Sequence, residues 1–194
     1  SKKQRKKRLI LIGSSQMYGN RKSIVNLKSK FMPINSYAKF RVEAYNYMVK
    51  SKRKYKSNIV TAILFNHDSK FRKKKFLIPR LIKIIKNNKI NKLTSIYEEN
   101  ISGDFSHAED ICNGLFKLLV SKKCPDKLIF SSNKRTYIND IIHYLIRLNR
   151  SNIRIKSNIF KNTFTPVGDN SLTKKILNWR QKKNIFIAAK ELNK

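Results

Sequence analysis

Short β-branched, apolar runs that alternate with longer segments of helical spacing constrain the fold of this chain most. Residues 92–97 (KLTSIY) predict a weak strand, and three clearer strands are predicted at residues 8–14 (RLILIGS), 58–65 (NIVTAILF) and 126–132 (DKLIFSS). Helical spacing is found at residues 36–54, 76–86, 106–121 and 136–149. Because the strands are too far apart for hairpins, the pattern predicts an α/β domain with a mainly parallel sheet and flanking helices.

Local signals refine this outline. The run at 8–14 is apolar on both faces and predicts a buried strand. Residues 151–160 alternate in the manner of an exposed strand, and residues 169–179 predict a short capped helix. The predicted N-caps are Ser36, Ser106 and Thr136. On the first helix, one apolar face is predicted to consist of Tyr37, Phe40, Ala44, Tyr47 and Met48.

Two polar loops follow predicted strands, at residues 13–20 (GSSQMYGN) and 66–75 (NHDSKFRKKK). Ligands of parallel sheets bind beyond the carboxyl ends of the strands, so both loops are expected to face one crevice. Ser14 follows a strand and Tyr37 begins a helix, a hydroxyl pair typical of one large class of enzymes. From the residues alone, the simpler interpretation is that Ser14 is an ordinary turn residue and Tyr37 a core residue.

The composition is strongly basic, with a formal net charge of +34 over 194 residues. Nucleic-acid binding is the first idea that such a charge suggests. The lysines, however, are spread through every segment together with many asparagines and isoleucines, a mixture that base bias in the genome explains. We therefore expect no specific nucleic-acid partner, and we treat residues 1–8 as a basic tail.

Other site classes are not indicated. The histidines are scattered, and Cys112 and Cys124 have no metal or redox spacing, so we expect free thiols and no metal. Without a membrane-length apolar run or a secretory signal, a cytoplasmic protein without membrane contact is expected. The five glycines, at positions 13, 19, 103, 114 and 168, form no glycine-rich phosphate-binding turn.

Five motifs in constant order resemble those of an extended short-chain dehydrogenase/reductase, and within that group of the GDP-mannose 4,6-dehydratases. SSQMYG resembles the family's T-S-E-x-Y-G, and SYAKFR its S-Y-x-x-x-K. ILFNHDSKFR is similar to I-L-F-N-H-E-S-P-R-R, GDFSHAEDI to R-D-W-G-H-A-K-D-Y, and GDNSLTKKILNW to G-D-x-S-K-A-x-x-x-L-G-W. The resemblance implies one incomplete domain over residues 1–194, the C-terminal part of a Rossmann-like fold with a small substrate-binding region. The glycine-rich cofactor-binding half has no counterpart here.

The resemblance also implies roles for individual residues. Tyr37 would take the proton of the sugar 4-hydroxyl while hydride moves to NADP, and Ser14 would hydrogen-bond the same oxygen. Gln16 stands where the family has a glutamate that serves in the loss of water. Cofactor contacts would come from Arg41, His67 and Arg72, and Asn66 would lie near the sugar diphosphate.

Two departures from the family pattern affect the chemistry. Arg41 replaces a lysine one helical turn after Tyr37; its charge can favour the phenolate, but the two cations are not interchangeable. Gln16 cannot titrate, whereas water elimination needs a group that both takes and gives a proton. We therefore expect a lyase-type nucleotide-sugar enzyme, acting on GDP-mannose or a related sugar with NADP, whose isolated chain has little activity.

Three alternatives remain open. An epimerase or reductase would use the tyrosine without the glutamate, and a non-catalytic remnant would bind the sugar nucleotide without turnover. A nucleic-acid binder would require DNA binding with a steep salt dependence. The possible protein partners are a second copy of the chain or a separate upstream half-chain.

Overall fold

The computed structural model describes residues 8–123 and 125–194, so the basic tail up to residue 7 and Cys124 lie outside the described residues. The strands of the described part are β1 (Leu9–Ser14), β2 (Ile24–Val25), β3 (Ile59–Leu64), β4 (Asn66–Asp68), β5 (Ser102–His107), β6 (Lys127–Phe130), β7 (Arg135–Tyr137) and β8 (Val167–Gly168). Its helices are α1 (Ser36–Tyr55), α2 (Leu77–Lys86), α3 (Ile90–Glu98), α4 (Ala108–Val120), α5 (Ile138–Leu148), α6 (Ser171–Leu177) and α7 (Ile185–Asn193), with a 3-10 turn at Ser15–Tyr18.

The sheets are mainly parallel. In the main sheet the strand order is β1-β3-β6, all parallel, with Ser14 opposite Leu64 at the carboxyl ends of the first pair. A second sheet joins β4 to β5 in parallel and β5 to β7 antiparallel, and β2 pairs with β8. The predicted α/β class, with a mainly parallel sheet and flanking helices, is confirmed.

Tight packing on β3 and β6 holds these carboxyl ends in place. Trp179 is 1% exposed, lies edge-on to Phe130 and donates its indole N–H to the backbone oxygen of Asp110 at 2.8 Å. A separate apolar cluster packs α2, α5 and α7 together. Among the described residues, no helix combines the length and apolarity that crossing a membrane would need.

Two predicted strands are wrong. Residues 92–97 lie in α3, because Leu93, Ile96 and Tyr97 pack from one helical face against the α2–α5–α7 cluster. Residues 151–160 belong to no strand. Their alternation reflects packing of Ile153 and Ile155 on the same cluster rather than pairing in a sheet.

Several local predictions also need correction. The N-caps are Asn35, His107 and Tyr137, each one residue away from the predicted cap. Residues 66–68, predicted as loop, form β4, and Ile24–Val25 forms β2. The predicted burial of residues 8–14 is only partly right, because Leu9 is 55% exposed. Among the described residues, its strand β1 pairs with a neighbour on one side only.

The predicted apolar face of α1 is not a core face in the described structure. Phe40 and Tyr47 are 62% and 70% exposed, and the one fully buried residue of the helix is Ala38. The helix contacts β1 and β3, and Phe40 and Tyr47 remain accessible.

Candidate active site

A cavity of about 350 Å³ lies beyond the carboxyl ends of β1 and β3, and we call it the tyrosine cavity. Six of the seven predicted site residues line it, namely Ser14, Gln16, Tyr37, Asn66, His67 and Arg72. The seventh, Arg41, lies behind Tyr37 rather than on the cavity wall. The two polar loops therefore do meet at one crevice, as their positions after parallel strands predict.

Ser14 is held at the end of β1 as the N-cap of the 3-10 turn. Its Oγ accepts a hydrogen bond from the backbone N–H of Gln16 at 3.2 Å. The hydroxyl proton is not used in this bond, so Ser14 can donate it to an oxygen in the cavity.

Tyr37 is the second residue of α1 and is 49% exposed, so its ring is not part of the packed interior. The guanidinium carbon of Arg41 lies 5.1 Å from the centroid of this ring, a cation–π contact one helical turn away. One terminal nitrogen of Arg41 donates to the backbone oxygen of Ile12 at 3.0 Å. Arg41 is thereby tied to the end of β1, and its buried Nε has no hydrogen-bond partner within the described residues.

Gln16 separates the tyrosine cavity from a second one of about 260 Å³, which we call the amide cavity. The amide cavity has no charged side chain among its described lining residues, although the chain as a whole is strongly basic. Its polar walls come from side-chain amides and hydroxyls, which suit the hydroxyl groups of a sugar. The amide residues are Gln16, Asn20, Asn35 and Asn66.

Asn66 and His67 are fixed by β4. The Nδ2 of Asn66 donates to the backbone oxygen of Asp104 at 3.2 Å. The Nδ1 of His67 lies 2.7 Å from the backbone oxygen of Phe65, which can only accept, so Nδ1 carries the proton. Burial lowers the pKa of His67, and nearby Arg72 lowers it further, against the raising effect of the Phe65 hydrogen bond. The imidazole is therefore neutral near pH 7, with Nε2 as an acceptor.

Arg72 is clamped on the cavity wall by two contacts. Its Nε lies 2.7 Å from Asp68 Oδ1, and its guanidinium carbon lies 3.6 Å from the centroid of the Phe76 ring. Burial raises the pKa of Asp68 to about 6, and the charge of Arg72 only partly opposes this. Asp68 is thus ionised above about pH 6 and then pairs with the arginine.

Sequence reasoning missed three residues of this site: Asn35, Asp68 and Phe76. Asn35 had a usable signal, because asparagine is among the best N-caps and stands next to the predicted cap Ser36. Asp68 also had one, since it lies four residues before Arg72. The stacking of Phe76 on Arg72 depends on the path of residues 69–75 and had no such signal.

Other predicted features can be placed as well. Cys112 is a free, exposed thiol. Within the ranges that the structure describes, no group of three or more histidine, cysteine or acidic residues could hold a metal ion. His107 caps α4 and accepts from the Glu109 N–H at 3.2 Å.

Curated relatives share this sequence pattern at low identity. The chain is 26% identical to GDP-mannose 4,6 dehydratase 1 of Arabidopsis thaliana over 177 residues, which are 88% of this chain and 49% of the relative. It is 23% identical to the GDP-mannose 4,6-dehydratase of Sinorhizobium fredii (strain HH103) over 134 residues, 68% of this chain and 38% of that one. The chain thus spans about half the length of the first of these relatives.

Solved structures share the fold. UDP-glucuronic acid 4-epimerase from Bacillus cereus, in complex with NAD, superimposes with a TM-score of 0.80 at 17% identity, covering 95% of this chain and 59% of the epimerase. RMD from Pseudomonas aeruginosa, complexed with NADPH, gives a TM-score of 0.79 at 17% identity over 96% of this chain and 64% of its own. These neighbours establish a Rossmann-type epimerase/dehydratase fold.

The family model described as GDP-mannose 4,6 dehydratase matches residues 1–191, nearly the whole chain. Together with the fold and the motif order, this match shows that the chain belongs to the GDP-mannose 4,6 dehydratase family.

Proposed function

We propose that the chain carries the sugar-binding and proton-transfer part of a nucleotide-sugar 4,6-dehydratase that acts on GDP-mannose or a related nucleotide sugar. The observation that supports this most is the convergence of Ser14, Gln16, Tyr37 and Asn66 on one cavity at the strand ends. The family's reaction oxidises the sugar at C4, removes water across C5 and C6, and returns the hydride.

Within this proposal, each residue has a defined task. The phenol oxygen of Tyr37 takes the proton of the sugar 4-hydroxyl, and the Ser14 hydroxyl donates a hydrogen bond to the same oxygen. Arg41, anchored on Ile12, keeps the Tyr37 ring in place. Asn66 and Gln16 hydrogen-bond the sugar from the wall shared by the two cavities.

The residues present fit the nicotinamide end of a cofactor. The tyrosine cavity is at the small end of the range for ligand sites, about 300–1,000 Å³, and its wall offers neutral His67 and clamped Arg72. NADP bound there would accept the hydride and later return it. The glycines of this chain provide no turn for the cofactor's phosphates, so we propose that these phosphates need a second polypeptide segment.

Gln16 is proposed to impair the dehydration step. An amide neither takes nor gives a proton, and losing a positioned acid/base group slows such a step by about 10²- to 10⁴-fold. We therefore propose binding and weak oxidation with little loss of water.

The test is incubation of the chain with GDP-mannose and NADP, with calorimetric titration of both ligands beside product analysis. Binding of GDP-mannose with little or no 4-keto-6-deoxy sugar is the expected result. Rapid formation of that sugar would contradict the impairment, and absence of GDP-mannose binding would contradict the function itself.

An epimerase or reductase is the second candidate, because Gln16 removes the acid/base group that only the dehydration needs. Product analysis with several nucleotide sugars separates the candidates: an epimerised or reduced sugar supports the second, and a 4-keto-6-deoxy sugar supports the first.

A further inference from the structure

A directed hydrogen-bond chain runs from the start of α1 to Gln16. The backbone N–H of Ala38 donates to Asn35 Oδ1 at 2.8 Å, and Asn35 Nδ2 donates to Gln16 Oε1 at 3.1 Å. A backbone N–H can only donate, so the oxygen of Asn35 must face Ala38 and its NH₂ must face Gln16. Because this backbone donor sets the direction of each bond in turn, the oxygen and nitrogen positions of both side-chain amides are determined.

The consequence concerns the free end of Gln16. Its oxygen is taken by Asn35, and no described residue accepts from its Nε2. The side chain is exposed and lines both the tyrosine cavity and the amide cavity. One lone pair of that oxygen remains, whereas both hydrogens of the NH₂ group are unused among the described residues, so Gln16 mainly offers a ligand N–H donors.

We propose that Asn35 is a positioning residue that holds Gln16 as a hydrogen-bond donor to an acceptor oxygen of the bound sugar. This inference rests on the proposed function, because it takes the ligand of the two cavities to be a nucleotide sugar. A carboxylate at position 16 would have only acceptor oxygens and would select a ligand hydroxyl as donor. The amide has the opposite polarity and favours a lone-pair oxygen, such as that of a keto group or a hydroxyl acting as acceptor.

The sharpest perturbation is Asn35→Asp. Aspartate is as good an N-cap as asparagine and suits the helix N-terminus, so the fold is retained. The second oxygen of the introduced carboxylate, however, carries no hydrogen that it could donate to the Gln16 oxygen. The Gln16 amide must then rotate to donate to the introduced carboxylate, which turns its oxygen towards the ligand.

The binding experiment compares GDP-mannose with GDP, which lacks the sugar, by calorimetry on wild-type and variant chains. N35D is expected to weaken the binding of GDP-mannose about three- to tenfold, the effect of one lost hydrogen bond, and to leave the affinity for GDP unchanged. Q16M removes the donor at similar side-chain volume and is expected to weaken the binding of GDP-mannose by a similar factor. Under this inference Asn35 acts on the sugar through Gln16, so adding N35D to Q16M should cause no further loss of GDP-mannose binding.

The outcomes separate the inference from the proposed function. Two results would overturn the inference while the proposed function stands. In the first, N35D keeps the wild-type preference for GDP-mannose over GDP. In the second, the losses of GDP-mannose binding in N35D and Q16M add up in the double variant. Failure of the wild-type chain to bind GDP-mannose overturns both. A readout without ligand is the NMR signal of the Gln16 side-chain amide, which in N35D should follow the titration of the introduced carboxyl group; an amide that ignores this titration contradicts the proposed rotation.

Discussion

The buried carboxylate of Asp104 makes the stability of this fold depend on pH in a predictable direction. Asp104 is fully buried in β5. Its oxygens accept from the backbone N–H groups of Ser132 at 2.6 Å, Asn133 at 3.0 Å and Gly168 at 3.3 Å. These bonds join β5 to the loop after β6 and to β8. Burial nevertheless dominates and raises the pKa of Asp104 to about 6.

The sign follows from proton binding. The folded state holds the Asp104 proton below about pH 6, whereas the unfolded chain releases it above about pH 3.9. Between these values the folded state binds more protons, so this residue's contribution to stability grows as the pH falls. From about pH 7.5 to about pH 5 the two pKa values give a gain of about 1 kcal/mol.

The assay is urea unfolding of the wild-type chain and Asp104→Asn over this pH range. The variant carries a constant cost for its lost acceptor oxygen, so the informative quantity is how the difference in unfolding free energy changes with pH. The wild type should gain about 1 kcal/mol relative to D104N as the pH falls. A difference that stays constant with pH, or a wild type that gains stability relative to D104N as the pH rises, would contradict the raised pKa assigned to Asp104.

Asp169 provides a control of opposite sign. It is half-buried, and hydrogen bonds from Ser171 lower its pKa. Its stabilising contribution is therefore present above its unfolded-state pKa and is lost as the pH falls. Asp169→Asn should remove this acid-side loss and should not reproduce the behaviour of D104N.

Three further predictions concern catalysis and packing. Tyr37→Phe removes the proton acceptor and should slow sugar-dependent reduction of NADP by about 10²-fold or more, while calorimetry should show GDP-mannose affinity weakened by no more than about tenfold. An unchanged rate contradicts the role of Tyr37. Gln16→Glu restores a titratable group and should raise the formation of 4-keto-6-deoxy sugar, followed by product analysis, by about 10²-fold. If formation does not increase, the missing acid/base group at position 16 is not what impairs the reaction. Gly114→Ala places a methyl group 2.6 Å from Phe130 and 3.0 Å from the Trp179 indole nitrogen. It should lower the free energy of unfolding by about 1–3 kcal/mol, measured by thermal unfolding. An unchanged unfolding midpoint contradicts the tight packing of α4.

The fold could be predicted best where a residue pattern is compatible with only one local structure. The apolar run of β3 is buried on both faces between two parallel neighbours, and its position there could be predicted. Once β1 and β3 were predicted as parallel, the meeting of Ser14 with residues 66–72 followed from sheet geometry. The placement of Tyr37 beside them came from the family's motif spacing rather than from periodicity.

Prediction failed where tertiary contacts outweigh local preference. Thr94, Ile96 and Tyr97 favour a strand by composition, yet α3 forms because its apolar face meets α2 and α5. Ile153 and Ile155 alternate as in a strand but lie on a segment without a strand partner. The link between Asn35 and Gln16 spans 19 positions along the chain and depends on the angle at which the chain enters α1.

The most direct test of the account is to map, by NMR chemical shifts, the residues that respond differently to GDP-mannose and to GDP. We expect the differences to centre on Ser14, Gln16, Tyr37 and Asn66, because these residues line the tyrosine cavity and two of them also line the amide cavity, where the sugar is proposed to bind. Differences confined to the separate cavity beside Lys134, Lys182 and Lys183, or no differences at all, would contradict it.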